Sequence, residues 1–431
     1  MTLSRRTILT GATMVAAAAA SVGSAQGTAN PPTQTRAPAR GSPRVHTLNG
    51  HSLEWRMVDG AKEFHLIAEE IEHEFAPGCR ARCWGYNGST PGPTIEAVEG
   101  DRVRILVTNR LPEPTTVHWH GILLPNGMDG VGGLNQEHIQ PGDTWAYEFT
   151  LRQHGTHMYH PHADEMTQLA FGMMGMFIIH PREPADPPVD RDYALLLHNW
   201  ALHPGTYRPD PAVMTEFDLW TFNSKVFPAT EPLLAAMGER VRIRVGNLSM
   251  HHHPVHLHGH RFVVTGSDGG RWPRALWRPE VTEIVGVGQT RDLEFVADNP
   301  GDWAVHCHLS HHTMNAMGHK LASPVGVKQG DLEARMREHL PGLMTMGENG
   351  MFDHNTHAGM GHVQGPENTL PMAVGDGPFG QIEMGGMFTM LKVRSRLSGN
   401  TDPGWYDSSA ARAKRVNAAQ PVEPTHQHEH L

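Results

Sequence analysis

A chain of 431 residues holds enough material for roughly two to three domains with substantial cores. Its 35 basic and 45 acidic side chains give a formal net charge of −10 with no basic run, which argues against a nucleic-acid partner. Three cysteines are too few for a disulfide framework, whereas 32 histidines and 23 methionines exceed what folding requires, and both residue types ligate copper.

Residues 1–25 read as an export signal. Ser4-Arg5-Arg6-Thr7-Ile8-Leu9 has the form of a twin-arginine signal, Ile8 to Ala20 forms the apolar stretch, and Gly23-Ser24-Ala25 offers small residues for cleavage. The apolar run is well short of the ~18 residues of a membrane span, and no later segment is expected to cross a bilayer. The expected location is therefore the periplasm or the cell exterior. Residues 26–44, rich in Pro, Ala, Thr and Arg, read as a disordered linker. From Val45 onward, short alternating runs broken by Gly, Pro and Asn indicate an all-β sandwich, as in Arg102 to Val107 and Trp145 to Phe149. Cys79 and Cys83, four apart, admit either a local disulfide in an oxidising compartment or two separate thiols with Cys83 buried at a strand start.

The chain repeats itself. Gly100-Asp101-Arg102-Val103-Arg104-Ile105 returns as Gly238-Glu239-Arg240-Val241-Arg242-Ile243. The same offset carries Asn109 onto Asn247, His118 onto His256 and His120 onto His258; a slightly larger one carries His160 and His162 onto His306 and His308. Residues 45–183 and 190–325 are therefore two copies of one module. Each contributes two His-x-His pairs, and extended backbone puts both histidines of a pair on one side. Cys307 alternates with His306 and His308, so it must point the other way. It corresponds to Pro161 in the first copy, as His253 does to Thr115, His312 to Met166 and Met317 to Phe171. A thiolate, imidazoles and a weak thioether suit a blue-copper electron-transfer centre, which only the second copy can build. A structural zinc site is the alternative for cysteine with two histidines, but it leaves eight histidines unexplained.

Taken together, His118-Trp119-His120-Gly121, His160-Pro161-His162, His253-Pro254-Val255-His256-Leu257-His258-Gly259-His260 and His306-Cys307-His308 continuing to His312 and Met317 resemble the multicopper oxidases, over roughly residues 45–325. The resemblance implies two cupredoxin-like Greek-key β-sandwich domains followed by a C-terminal extension. It implies four copper ions per active unit. Type 1 copper would take His253, Cys307, His312 and, weakly, Met317; type 2 copper His118 and His256; the type 3 pair His120, His160, His162, His258, His306 and His308. Such a cluster reduces dioxygen to water with four electrons delivered singly through Cys307. Asp129, in Met128-Asp129-Gly130, matches an acidic position used to move protons to bound oxygen, although an Asp-Gly turn explains it equally well. Many small laccases carry a tyrosine shortly after the first pair; here Ile122, Leu123 and Leu124 stand there.

Three-domain laccases insert a whole domain between the second and third histidine motifs. The stretch 163–252 leaves room only for the start of the second module. The chain thus resembles two-domain small laccases, in which domain 1 of one subunit meets domain 2 of the next; the implied assembly is a homotrimer, since a head-to-tail contact must close into a ring or grow indefinitely. His157, His251, His252, His260, His311 and His319 fall outside the ligand register and read as surface or supporting groups, with His251-His252 placed to shape a donor site.

The expected activity is laccase-type oxidation of phenols and aromatic amines coupled to dioxygen. The alternative is a periplasmic cuprous oxidase, suggested by Met344, Met346, Met351, His354, His357, Met360, His362, Met372, Met384, Met387 and Met390 in the Met/His/Gly-rich extension 326–394, since thioethers favour Cu(I). A non-enzymatic copper carrier would not need four symmetric pairs, and Pro161 in place of a cysteine argues against a nitrite reductase. Within the extension, Asp331 to Leu340 reads as a short helix and Gly385 to Val393 as a strand added to a sheet edge. Residues 395–431 are expected to be mostly disordered.

Overall fold

The computed structural model describes residues 43–184, 187–315, 367–370 and 375–413, together with Arg335 and Glu338. The expected export signal, nearly all of the linker, Met317, His319 and most of the Met/His-rich extension lie outside these residues. Among the described residues no helix is long and apolar enough to cross a membrane.

The described residues are mostly β-strands, with a short α-helix at Glu165–Ala170 and helical backbone at Arg335 and Glu338. The first module holds two sheets. One orders Trp55–Val58, Ala61–Ala76, Arg102–Asn109 and Thr144–Thr150, with Cys79–Tyr86 paired to the distal part of the long second strand. The other orders Ile95–Val98, Gly175–His180, Gly155–His160 and His118–His120. In Arg102–Asn109 every second side chain is buried, as expected of a sheet with one wet face. Val103, Ile105 and Val107 meet Trp119, Tyr159, Phe177 and Ile179 of the facing sheet to form the first core.

The second module repeats the plan. Its larger sheet runs His46–Thr47, Arg191–Trp200, Arg240–Asn247, Thr290–Val296, Phe262–Ser267 and Gly270–Arg271. Tyr193, Leu195, Leu197, Val241, Ile243 and Val245 from it pack on Val255, Leu257, Val305, Cys307, Leu391 and Val393 of a five-stranded sheet. Those residues share a second core.

A third core joins the modules. Met158, Met176 and Ile178, on the outer face of the first module's second sheet, pack on Ala194, Leu196 and Trp200 from the back of the larger sheet. The described β-layers therefore stack four deep. A strand in the interior of such a stack is covered on both faces and should read as a continuous apolar run. In Arg191–Trp200 the run is Tyr193 to Leu197, and all residues of the strand but the first are buried, the polar Asp192, His198 and Asn199 among them. Polar groups cross the same junction in matched sets: Asp192 binds Arg242 at 3.0 Å and Arg244 at 2.9 Å, Arg244 reaches Thr156 at 2.7 Å, and Thr156 donates to Asp292 at 2.6 Å. Burial alone would raise the Asp192 carboxyl, but the two guanidiniums outweigh it and hold it below the usual carboxylate range.

Two expectations change, and one open alternative is settled. The predicted C-terminal strand exists, as Phe388–Arg394, but it is not at an edge. It lies between Gly301–Cys307, antiparallel, and Leu233–Ala236, parallel, so hydrogen bonds satisfy both of its sides and Leu391 and Val393 enter the core. The extension thus supplies the strand beside Cys307. Residues 395–413, expected to be disordered, fold back on this strand: Lys392, nearly buried, pairs with Asp402 at 2.6 Å, and the Tyr406 amide donates to Asp302 at 2.8 Å. A buried ammonium needs such a partner, which is what holds the segment down. Cys79 and Cys83 are separate buried thiols on one strand. Four residues of extended chain span about 13 Å, far beyond the reach of a disulfide. Of the predicted helix at Asp331 to Leu340, Arg335 and Glu338 are described, and both are helical.

Candidate metal centres

Cys307 ends the strand Gly301–Cys307 and faces the second core, as alternation requires. His253 begins the adjacent strand His253–Leu257, and His312 lies on the 3₁₀ turn Ser310–Thr313 that follows. All three are fully buried. Cys307 Sγ stands 3.5 Å from His253 Nδ1 and 3.4 Å from His312 Nδ1, and the two nitrogens are 3.1 Å apart. Three soft or borderline donor atoms that close, with no carboxylate among them, can converge on one transition-metal ion. The outer nitrogens are committed elsewhere: His253 Nε2 meets Ser249 Oγ at 2.7 Å, and His312 Nε2 meets His251 Nδ1 at 3.2 Å. Each ring can therefore keep its proton on Nε2 and turn a lone pair on Nδ1 toward the sulfur.

Burial pushes His253 down to about 3 and His312 to about 2, and raises the Cys307 thiol to about 12. Between pH 5 and 8 the imidazoles are neutral and offer their lone pairs, whereas the thiol must lose a proton to a bound metal. Copper affinity at this centre is accordingly expected to rise about tenfold per pH unit, one proton released per ion. Chelator competition followed through the blue absorption band measures this. A slope of two or three protons would show that the histidines are protonated in the metal-free site.

The eight other motif histidines form two sets of four. In the first module, His118 faces His160 across adjacent strands, with His120 opposite Met158. In the second, His256 faces His306 in the same relation. The repeat extends to hydrogen bonds. His118 Nδ1 donates to the Asp129 carbonyl at 2.7 Å, and His256 Nδ1 to the Val281 carbonyl at 2.6 Å. His160 Nδ1 meets the Pro161 carbonyl at 2.9 Å, and His306 Nδ1 the Cys307 carbonyl at 2.8 Å. Each of these four rings is thereby held with Nε2 available to a metal. His120 Nδ1 lies 3.2 Å from His160 Nε2, and His258 Nε2 lies 3.1 Å from His306 Nε2. His162 and His308 stand at the rims of their sets, in ring contact with His118 and His256 respectively. Burial pushes His160 down to about 3 and lowers His120, His258 and His306 in the same direction.

Gly259, which follows the second-module pair, has φ +69°, and a β-carbon there would sit 2.3 Å from the Trp303 ring. Side-chain absence and the left-handed backbone are both required at this turn.

The two sets do not meet within one chain. His118 and His120 alternate with Trp119, a first-core residue, so they project from the module's second sheet toward the second module. His256, His258 and His306 alternate with second-core residues and project outward from the five-stranded sheet, away from the first module. The eight-stranded sheet lies between them. At the usual sheet spacing the sets are about 20 Å or more apart. Among the described residues no hydrogen bond or ring contact joins one set to the other.

Asp129 ends the 3₁₀ turn Asn126–Met128, and its carboxylate lies 3.5 Å from His118 Nδ1. It is thus both the turn residue and a neighbour of the histidine set. Two residues that the sequence motifs did not single out support the cysteine site, Ser249 and Trp220 (stacked on His312 at 4.8 Å), and His251, read there as a supporting or donor-site group, meets the His312 ring directly. Nothing local marks Trp220, which lies on the strand Leu219–Phe222 in the first half of the second module, far in sequence from His312.

Comparison with known proteins agrees with this geometry. Two multicopper oxidase family profiles match residues 68–184 and 204–326, together more than half of the chain. Copper resistance protein A of Escherichia coli is 45% identical over 26% of this chain and 18% of its own length. Laccase-2 of Botryotinia fuckeliana is 31% identical over 54% of this chain and 44% of its own. The chain thus spans less than half the length of these curated relatives. Among solved structures, the blue copper oxidase from Nitrosomonas europaea superposes with a TM-score of 0.58 at 25% identity, covering 83% of this chain and 97% of that one. Fold, internal repeat, ligand geometry and profiles converge: the chain belongs to the multicopper oxidase family.

Proposed function

We propose that the protein is a laccase-like oxidase that removes single electrons from phenols and aromatic amines and passes four of them to dioxygen, releasing water. The observation that carries this is the strand Gly301–Cys307: one residue, Cys307, ends in the three-donor site, while the backbone neighbours His306 and His308 belong to the outer histidine set. In this reading His253, Cys307, His312 and Met317 hold type 1 copper, His118 and His256 hold type 2, and His120, His160, His162, His258, His306 and His308 hold the type 3 pair. Copper, four ions per active unit, supplies the redox chemistry. The protein's residues fix the ring tautomers through the Ser249 hydroxyl, the His251 ring nitrogen and the carbonyls of Asp129, Pro161, Val281 and Cys307, and the short covalent path from Cys307 to His306 and His308 links donor and acceptor sites. Asp129, beside His118, is the candidate proton donor to the oxygen site.

The placement of the two histidine sets supports an intersubunit cluster. Domain 1 of one chain would bring its four histidines to the outward-facing four of a second chain's domain 2, and a head-to-tail contact of this kind closes as a homotrimer. The twin-arginine motif supports export to the periplasm or beyond, with folded protein as cargo.

A second reading, a cuprous oxidase serving copper tolerance, is favoured by the relatives named copper resistance protein A and by three exposed methionines, Met166, Met214 and Met250, that line a 320 Å³ cavity beside the domain 1 histidines. Met387, by contrast, is a fully buried core residue, which packing explains. Oxygen uptake by copper-loaded protein, with a methoxyphenol and with Cu(I) as separate donors, distinguishes the two. The laccase reading expects phenol-driven uptake to be much the faster; dominant Cu(I) turnover would replace it by the second.

A further inference from the structure

Within the multicopper oxidase reading on which this rests, electrons must reach His253 or His312 from a donor in solution. Neither ring is exposed at all. The edges that would meet a donor are taken: His253 Nε2 by Ser249, itself buried, and His312 Nε2 by His251. His251 does more than cap. Its ring lies parallel to that of His312, with centroids 5.3 Å apart and planes 17° apart, while Trp220 stacks on His312 with its centroid 4.8 Å away and its plane at 19°. Phe217 meets the His251 ring edge-on at 5.4 Å and fixes its position. His251 is part-exposed, next to exposed Met250 and His252.

The hydrogen-bond direction follows from the ligand geometry. With His312 Nδ1 turned to Cys307, its proton sits on Nε2 and is donated to His251 Nδ1; the His251 proton then sits on Nε2, where among the described residues no protein group accepts it. His251 therefore presents an N–H that can bind a phenol or phenolate oxygen, with an unbroken ring-to-ring contact behind it.

We infer that His251, and not a copper-ligating histidine, is the residue a donor touches, and that electrons enter the type 1 centre through the His251–His312 pair. In the step, the donor's O–H bond breaks, its proton goes to solvent water, and one electron leaves by way of His251 and His312 for the copper that His253, Cys307 and His312 would hold, which would serve as the one-electron oxidant; the donor is left as its one-electron-oxidised radical. His311, exposed and in edge contact with His312 at 4.3 Å, is the competing route, since it lacks the bond to Nε2.

The test compares His251→Ala, His251→Phe and His311→Ala with the parent in the copper-loaded protein. Type 1 absorption, EPR and midpoint potential establish that the centre is intact, and anaerobic stopped-flow follows its bleaching by a methoxyphenol and, separately, by ferrocyanide. The expected result is bleaching slowed ~tenfold or more in both His251 variants, beyond what any change in potential explains, because the reacting partners lose their contact geometry; His311→Ala stays within about twofold of the parent by the same reasoning. A readout independent of turnover is the His251 Nε2–H resonance in the diamagnetic cuprous protein, expected to move on addition of the weakly oxidisable 4-nitrophenol. Equal or faster bleaching in His251→Ala, showing that an uncovered His312 takes electrons directly, would overturn the inference, as would slowing confined to His311→Ala. If the parent is bleached by ferrocyanide but not by the phenol, the laccase reading fails, and the ferrocyanide rates alone decide the entry route.

Discussion

Replacing Cys307 by serine is expected to abolish the blue absorption and lower donor-driven oxygen uptake by on the order of 10³-fold or more, equivalent to about 4 kcal/mol or more of barrier. Serine is nearly isosteric, so the core around Val255, Val305 and Met387 should persist. What goes is the thiolate, the soft donor among His253, Cys307 and His312 and the one of those three whose own backbone neighbours belong to the outer histidine set. The variant should keep the copper held by the eight paired histidines. Copper analysis beside absorption and oxygen uptake checks both halves of this expectation; a variant that remains blue would show that the cysteine is not a ligand.

A complementation experiment carries the next largest effect. Consider one variant lacking His118 and His120, and a second lacking His256 and His258, each inactive alone. If the oxygen site is assembled between chains, mixed oligomers contain junctions in which an intact domain 1 meets an intact domain 2. Random co-assembly in a ring would restore about a quarter of parental activity. Activity measured after dissociating and reassociating the mixture gives the answer. No recovery in demonstrably mixed oligomers would place each cluster within a single chain and exclude the intersubunit arrangement.

How far these conclusions could be read from the sequence depended on what kind of interaction fixed each feature. The facing of the motif histidines was legible because strand geometry ties a side chain's direction to its parity: Trp119 and Val305 face the cores, so His118, His120 and His306 face out. The internal repeat then predicted that His118 opposite His160 would be matched by His256 opposite His306, as it is. Features set by distant chain segments were not legible. Phe388–Arg394 lies beside Cys307 although more than seventy residues separate them, and nothing in its composition distinguishes an inner strand from an edge one. The same holds for Asp402 and Lys392, whose pairing orders a stretch that reads as a tail. The Cys79 and Cys83 ambiguity was settled only by knowing that the intervening residues are fully extended. His251 was visible as a neighbour of a ligand, yet its contact with His312 depends on where the turn Ser310–Thr313 returns.

The most direct test of the account is the electron stoichiometry of oxygen consumption by the copper-loaded protein with a one-electron phenolic donor. Four donor molecules oxidised per dioxygen, with no hydrogen peroxide accumulating, is the predicted result and requires both the Cys307 centre and the paired histidines acting together. A ratio of two with peroxide released, or no uptake from a protein that carries its full complement of copper, would contradict it.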